Sequence, residues 1–182
     1  MSVEIAAGAI QLLPFRVEEA AELLPAIDDP DIRRWNRFGE QNEHVLEDLR
    51  RWIEARSDGT GTALGWAVRA ALSGELLGQV SLLHIDHDQR DAELGYWLLP
   101  HSRGRGVGTT AALAVTRYAF EAMDLRRVQL FHAVENPASC ALATRAGFLY
   151  EGTHRQSHRY GDGLWHDEHS HARLASDPYP PS

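Results

Sequence analysis

The order of apolar and polar residues changes period several times along this chain. Residues 10–16 alternate loosely, as a strand does, and residues 17–24 then show helical character up to Pro25. A second helical stretch, 43–56, sets Val45, Leu49, Trp52 and Ile53 on one face. The middle of the chain has a period of two. Residues 64–72 and 75–86 read as strands joined at Ser73-Gly74, and 92–99 as a third strand stopped by Pro100. Residues 109–123 form an Ala-rich helix, and 127–134 a strand alternating Val128, Leu130, His132 and Val134. Asn136-Pro137 then opens a helix that ends at Gly147, a good position for a left-handed cap. Two last strands, 149–155 and 164–174, flank a turn at Gly161-Asp162-Gly163.

A meander of three strands followed by a strand-helix-strand crossover predicts an α/β (mixed α+β) fold. We expect a single domain over residues 1–175, built on a central mixed antiparallel and parallel sheet of about seven strands with helices on both faces. The two kinds of pairing should meet near Trp97 and Val128. The proline-rich stretch 176–182 is expected to be a flexible tail.

The segment from Pro100 to Thr110 carries the chemistry. Gly104, Gly106 and Gly108 fall within five residues between a strand and a helix, so the backbone can curl and bring its N–H groups close to an anion. The following helix adds unpaired N–H groups and a positive dipole end. Arg103 and Arg105 add full charge, and the whole suits a pyrophosphate. Two nucleotide signatures fall short here. The P-loop needs a Lys that this loop lacks, and the dinucleotide fingerprint has Thr109 where its third glycine belongs.

Arg103-x-x-Gly106-x-Gly108 resembles the R/Q-x-x-G-x-G/A motif with which GNAT N-acetyltransferases hold the pyrophosphate of coenzyme A. Asn136-Pro137-Ala138-Ser139 and the run from Ala146 to Gly152 resemble the N-x-x-S and G-F-x-x-E-G segments of one branch. It is the branch of the ribosomal-protein-alanine N-acetyltransferases. Ala92 to Leu98, Arg155, the Asp162-Gly163 turn, Asp167 and, more loosely, Arg34-Trp35 extend the likeness. The resemblance spans roughly residues 10 to 175. It implies acetyl-CoA as cosubstrate and direct transfer to a primary amine, either a protein N-terminal α-amine or a small molecule. It implies that Leu98, Leu99, Arg103, Gly104, Arg105, Gly106, Val107, Gly108, Thr109, Asn136 and Ser139 bind the cosubstrate. Amides near Leu98 and Leu99 would face the developing oxyanion, and a homodimer is part of the same expectation.

Three residues are candidates for proton transfer. Glu93 shares a strand face with Gly95 and Trp97 and reads equally as a base or as a solvated strand residue. His132, on a mostly apolar face, reads as core histidine before base. Ser139 reads as part of a helix first turn before it reads as the donor that protonates the departing thiolate. Asn136 is a natural helix cap, and a contact with the pantetheine arm is compatible with that role.

Composition narrows the picture further. The formal charge of −8 at pH 7 and the lack of a basic run argue against nucleic-acid partners. Cys140 is the single cysteine, so no intrachain disulfide or Cys-based zinc site is expected. The later histidines, at 154, 158, 166, 169 and 171, show no ligand spacing, and no metal is expected. The sequence shows no signal segment and no apolar run of membrane-spanning length, which predicts a cytoplasmic protein without membrane partners. Other readings are a non-catalytic acyl-CoA-binding regulatory module and a transferase of a longer acyl group such as succinyl. A dinucleotide redox enzyme is disfavoured by the incomplete glycine fingerprint.

Overall fold

A computed structural model describes residues 3–36, 45–56 and 62–180. The start of the helix expected from residue 43 lies outside the described residues, as does the end of the tail, 181–182. The strands are β1 (Ile5–Ala7), β2 (Ile10–Pro14), β3 (Leu64–Ala70), β4 (Leu76–Asp86), β5 (Asp91–Leu98), β6 (Arg127–Ala133), β7 (Leu149–Arg159) and β8 (Trp165–Leu174). They form one sheet in the order β1-β2-β3-β4-β5-β6-β8-β7. β1 is the strand beyond the expected seven, because three residues are too few to display a period.

The helices are α1 (Leu24–Asp28), α2 (Pro30–Trp35), α3 (Val45–Glu54), α4 (Val107–Glu121) and α5 (Pro137–Arg145), with a 3-10 segment at Val17–Leu23. Pro25 does not stop the first helix. It sits in the first turn of α1, where its missing N–H loses nothing. The sequence reading has no counterpart to α2, which is only six residues long and is set by its cap. Asp29 accepts a hydrogen bond from the Ile32 N–H at 2.8 Å, and Pro30 follows it.

Alternation along the strands divides the core in two. Trp66, Val68, Val80, Leu82, Leu94 and Val128 face α4 and α5, whereas Ala67, Trp97 and Leu99 face α1, α2 and α3. Helices therefore cover both faces, as the crossover pattern implies. Leu12, Leu82, Leu94 and Leu130 are fully buried, each contributing about 1.5–3 kcal/mol of apolar transfer. α4 is Ala-rich where it lies on the sheet, with Ala111, Ala112, Val115 and Ala119 buried. No helix among the described residues is long and apolar enough to cross a membrane.

The parallel junction lies farther back along β5 than expected. β5 and β6 pair only through Asp91–Arg127, Ala92–Val128 and Glu93–Gln129. Beyond Glu93 the two strands separate, so the junction ends before it reaches Trp97. β4, by contrast, follows β5 as far as Leu98.

The stretch expected to be a loose tail makes specific contacts through residue 180. Tyr179 receives the guanidinium groups of Arg117 and Arg173 at 4.6 and 4.3 Å from its ring centre. Arg173, fully buried, also donates to the Pro178 carbonyl at 3.2 Å.

One close approach ties the α2 end to the β7–β8 turn. The Gly161 N–H donates to the Arg34 carbonyl at 3.0 Å, and a Cβ at Gly161 would stand 1.7 Å from the Arg33 carbonyl oxygen. Gly161→Ala must therefore push the two backbones apart. We expect a lower urea midpoint at unchanged slope, a loss of about 1–3 kcal/mol.

Candidate active site

A cleft of about 1370 Å³ opens where β5 and β6 part, and it is lined from both faces of the sheet. Glu93, Gly95 and Trp97 line it on the α2–α3 side, with Arg34, Trp35 and Trp52. Tyr96 and Leu98 line it on the other side, with residues of α4 and α5. The opening thus passes through the sheet.

Hydrogen-bond parity decides what the edge of β5 presents. The Leu99 N–H donates to the Leu77 carbonyl of β4 at 2.9 Å. In an antiparallel ladder paired groups alternate, so residues 95 and 97 also turn their backbone toward β4. The N–H groups of Tyr96 and Leu98 then point the opposite way, into the gap. Of the two amides expected at the oxyanion, Leu98 has the required direction. Leu99 does not: its N–H is used by β4, its side chain is buried, and it is not part of the cleft lining.

The anion cradle sits at the start of α4. Gly106 is the residue preceding the helix, at φ 79°, and no side chain caps the first turn. The first intrahelical bond runs from the Thr110 N–H to the Gly106 carbonyl, so the N–H groups of Val107, Gly108 and Thr109 lack acceptors within the helix. A Cβ on Gly104 or Gly106 would meet nothing within 4 Å, so the space beside these two glycines is open. Gly104, Gly106, Val107, Gly108 and Thr109 all line the cleft. A diphosphate fits this set of donors.

The two arginines differ: Arg103 lines the cleft and is held by partners within the chain, and Arg105 is not among the lining residues. The Arg103 guanidinium donates to the Leu98 carbonyl at 3.0 Å, to Asp29 at 2.6 Å and to Asp31 at 3.0 Å. It braces the loop against the end of β5 and the start of α2, and its charge is already matched. Arg105 is exposed and lies outside the cleft lining.

α5 completes the donor side. The Asn136 side chain accepts from the Ser139 N–H at 3.2 Å, which caps the helix. Ser139 is buried, and its Oγ accepts a hydrogen bond from the Tyr96 hydroxyl at 3.0 Å. With its lone pair engaged by Tyr96, the Ser139 hydroxyl keeps its own proton to donate. Burial pushes the Tyr96 phenol up, so it stays protonated at neutral pH. Tyr96 was invisible as a functional residue in sequence, where it is one aromatic in an apolar strand.

Glu93 is half-buried at the neck. Burial raises its carboxyl above the ordinary range, and the nearby charge of Glu168 adds to this, while His84 and His158 oppose it. His84, at φ 50° where β4 slips register, brings Nε2 to 4.0 Å from Glu93. Glu168 is held by the hydroxyls of Tyr160 at 2.8 Å and Ser157 at 2.7 Å. His158 and Tyr160 also line this wall. Only the turn at 161–163 hinted in sequence that β7 and β8 would reach here.

His132 lines the cleft but is poorly placed to act as a base. Its Nδ1 lies 2.8 Å from the Ala133 carbonyl and its Nε2 lies 3.1 Å from His171 Nε2. Burial also lowers its pKa. Both ring nitrogens are occupied away from an incoming amine. The fold further gathers His132, Cys140, His169 and His171, whose ligand atoms all lie within 4.8 Å of one another. Nothing in their spacing along the chain foretold that grouping.

The acetyltransferase (GNAT) domain family matches residues 10–149. The candidate ribosomal N-acetyltransferase YdaF of Bacillus subtilis is 34% identical over 166 residues, covering 87% of this chain and 86% of that protein. Spermidine N(1)-acetyltransferase of Vibrio cholerae is 34% identical over 77 residues, 42% of this chain and 44% of that protein. Mycobacterium smegmatis RimJ, solved in complex with CoA-disulfide, shares the fold at a TM-score of 0.83 and 24% identity, over 96% of this chain and 86% of its own.

A carboxylate with a raised pKa makes a burden on stability that can be measured. Folding favours protonated Glu93, so its ionised form opposes folding above that pKa and the opposition fades as pH falls. Glu93→Gln should therefore raise Tm at pH 8, with the gain shrinking toward acid pH. A gain independent of pH would mean that Glu93 is not desolvated.

Proposed function

The chain belongs to the acetyltransferase (GNAT) domain family, and we propose on that premise how its cleft divides the work of moving an acetyl group from acetyl-CoA to an amine. The observation that carries the reading is the gap after Glu93. It joins an anion cradle on one face of the sheet to a carboxylate-lined chamber on the other.

The amides of Val107, Gly108 and Thr109 hold the diphosphate, with Gly104 and Gly106 keeping the backbone open. Asn136 borders the pantetheine arm. The thioester then lies at the gap, where the Leu98 N–H meets the charge that develops on the carbonyl oxygen. Glu93 takes the proton from the amine entering beside Trp35. The amine nitrogen bonds to the acetyl carbon, the carbon–sulfur bond breaks, and the thiolate receives its proton from Ser139, which Tyr96 supports.

We favour a peptide α-amine as acceptor. An α-amine is roughly a tenth neutral at pH 7, whereas a lysine-like amine is neutral at under about 0.1%, a further barrier of about 3–4 kcal/mol. A single half-buried carboxylate suits the easier task. The similarity to a candidate ribosomal acetyltransferase supports this choice, and the similarity to a spermidine acetyltransferase supports the small-amine alternative.

Thiol release from acetyl-CoA should be measured with N-terminal peptides and with spermidine. Faster turnover of peptides is expected; release with spermidine alone would overturn the acceptor, and the absence of release with every amine tested would favour the binding-module reading. Succinyl-CoA in the same assay tests the acyl group. Tyr96→Phe and Ser139→Ala should each lower kcat by about 10²-fold or more with little change in KM for acetyl-CoA. Gly106→Trp fills the cradle and should abolish coenzyme A binding in calorimetry while far-UV circular dichroism stays unchanged.

A further inference from the structure

Beneath α5, on the side away from Glu93, lies a group of side chains that acetyl transfer does not use. β6 contributes His132, β8 contributes His169 and His171, and α5 lays Cys140 over them. Cross-strand register explains the convergence. His132 is the direct partner of His169, and His171 is the partner of Leu130, two residues back on the same face of β6. The donor atoms of all four residues lie within 4.8 Å of one another, and His132 Nε2 is 3.1 Å from His171 Nε2.

Ordinary core packing does not account for this group. Two imidazoles can satisfy each other by one N–H···N bond, but a third and a thiol then have nothing to do. Nδ1 of His169 is buried with no hydrogen-bond partner among the described residues. An orphaned polar nitrogen of this kind is costly in a core. The ring edge of Tyr150 closes the cluster on one side, with its centre 5.1 Å from His169 and 5.6 Å from His171.

We propose that His132, His169, His171 and Cys140 form a binding site for one zinc-class transition-metal ion. Three imidazoles and one thiolate match the borderline-soft preference of Zn2+ and its tetrahedral habit. Ligand atoms around tetrahedral Zn2+ stand about 3.3–3.6 Å apart, given bond lengths of about 2.0–2.3 Å. The His132–His171 pair is already near that separation, and the remaining atoms need to close by at most about 1.5 Å. The outer hydrogen bond is also in place. His132 Nδ1 faces the Ala133 carbonyl at 2.8 Å, which leaves Nε2 with its lone pair toward the cluster. The ion clamps α5 to β6 and β8. Because α5 carries Asn136 and Ser139, the clamp steadies the donor wall of the cleft without entering the reaction.

Untagged full-length protein, stripped of metal, is to be titrated with Co2+ and followed by absorption. One equivalent should produce the intense visible bands of a tetrahedral centre together with a thiolate charge-transfer band, and Zn2+ should bleach both. Cys140→Ser should remove the charge-transfer band, and His169→Ala should weaken Co2+ binding by at least tenfold. The wild-type spectrum alone decides the matter if a variant fails to fold. A spectrum without thiolate character, no saturable Co2+ binding, or bands that survive both substitutions would each overturn the site. The readout is independent of acetyl transfer, so a failure here leaves the catalytic reading untouched.

Discussion

The structure turns on the parting of two strands. A central strand normally satisfies its main chain on both sides, yet β5 keeps β6 for three residue pairs only and then continues alone on that edge to Leu98. Peptide groups turned into the gap at Tyr96 and Leu98 are therefore available to something outside the sheet. One of them, the Leu98 carbonyl, is taken by Arg103. The Leu98 N–H points into the same gap. The same separation opens a passage between the two faces of one sheet.

Arg103 is matched by Asp29 and Asp31, whereas the main-chain amides at the start of α4, preceded by Gly106, have no side-chain cap among the described residues. Glu168 stands close enough to raise Glu93, while its own oxygens are tied to Tyr160 and Ser157. One carboxylate is anchored by two hydroxyls, and the other lines the neck of the cleft.

α5 joins these parts. Asn136 caps it, Ser139 and Tyr96 link it to β5, and Cys140 faces the three histidines of β6 and β8. Helix and strands meet at a polar cluster in a place where most cores are apolar. Arg117, Arg173 and Tyr179 add a second polar clasp where the chain end returns to α4.

The strands from β3 to β6 and the helices α4 and α5 were legible because each is long enough to show its period, and because Gly106, Asn136 and Gly147 punctuate them locally. The glycine-rich start of α4 was legible for the same reason, since Gly104 to Thr109 are six consecutive residues. What stayed hidden depends on partners distant in the chain. Arg103 reads as a free cation until Asp29 and Asp31 are folded against it. Leu99 and Leu98 look equivalent until β4 chooses one of their amides, and Tyr96 gains a role only when α5 brings Ser139 to it. His132, His169 and His171 lie on two strands and Cys140 on a helix, so no linear spacing relates them. Periodicity and capping are local energetics and can be read in order. Which polar group meets which is a consequence of register and packing, and tertiary structure alone decides it.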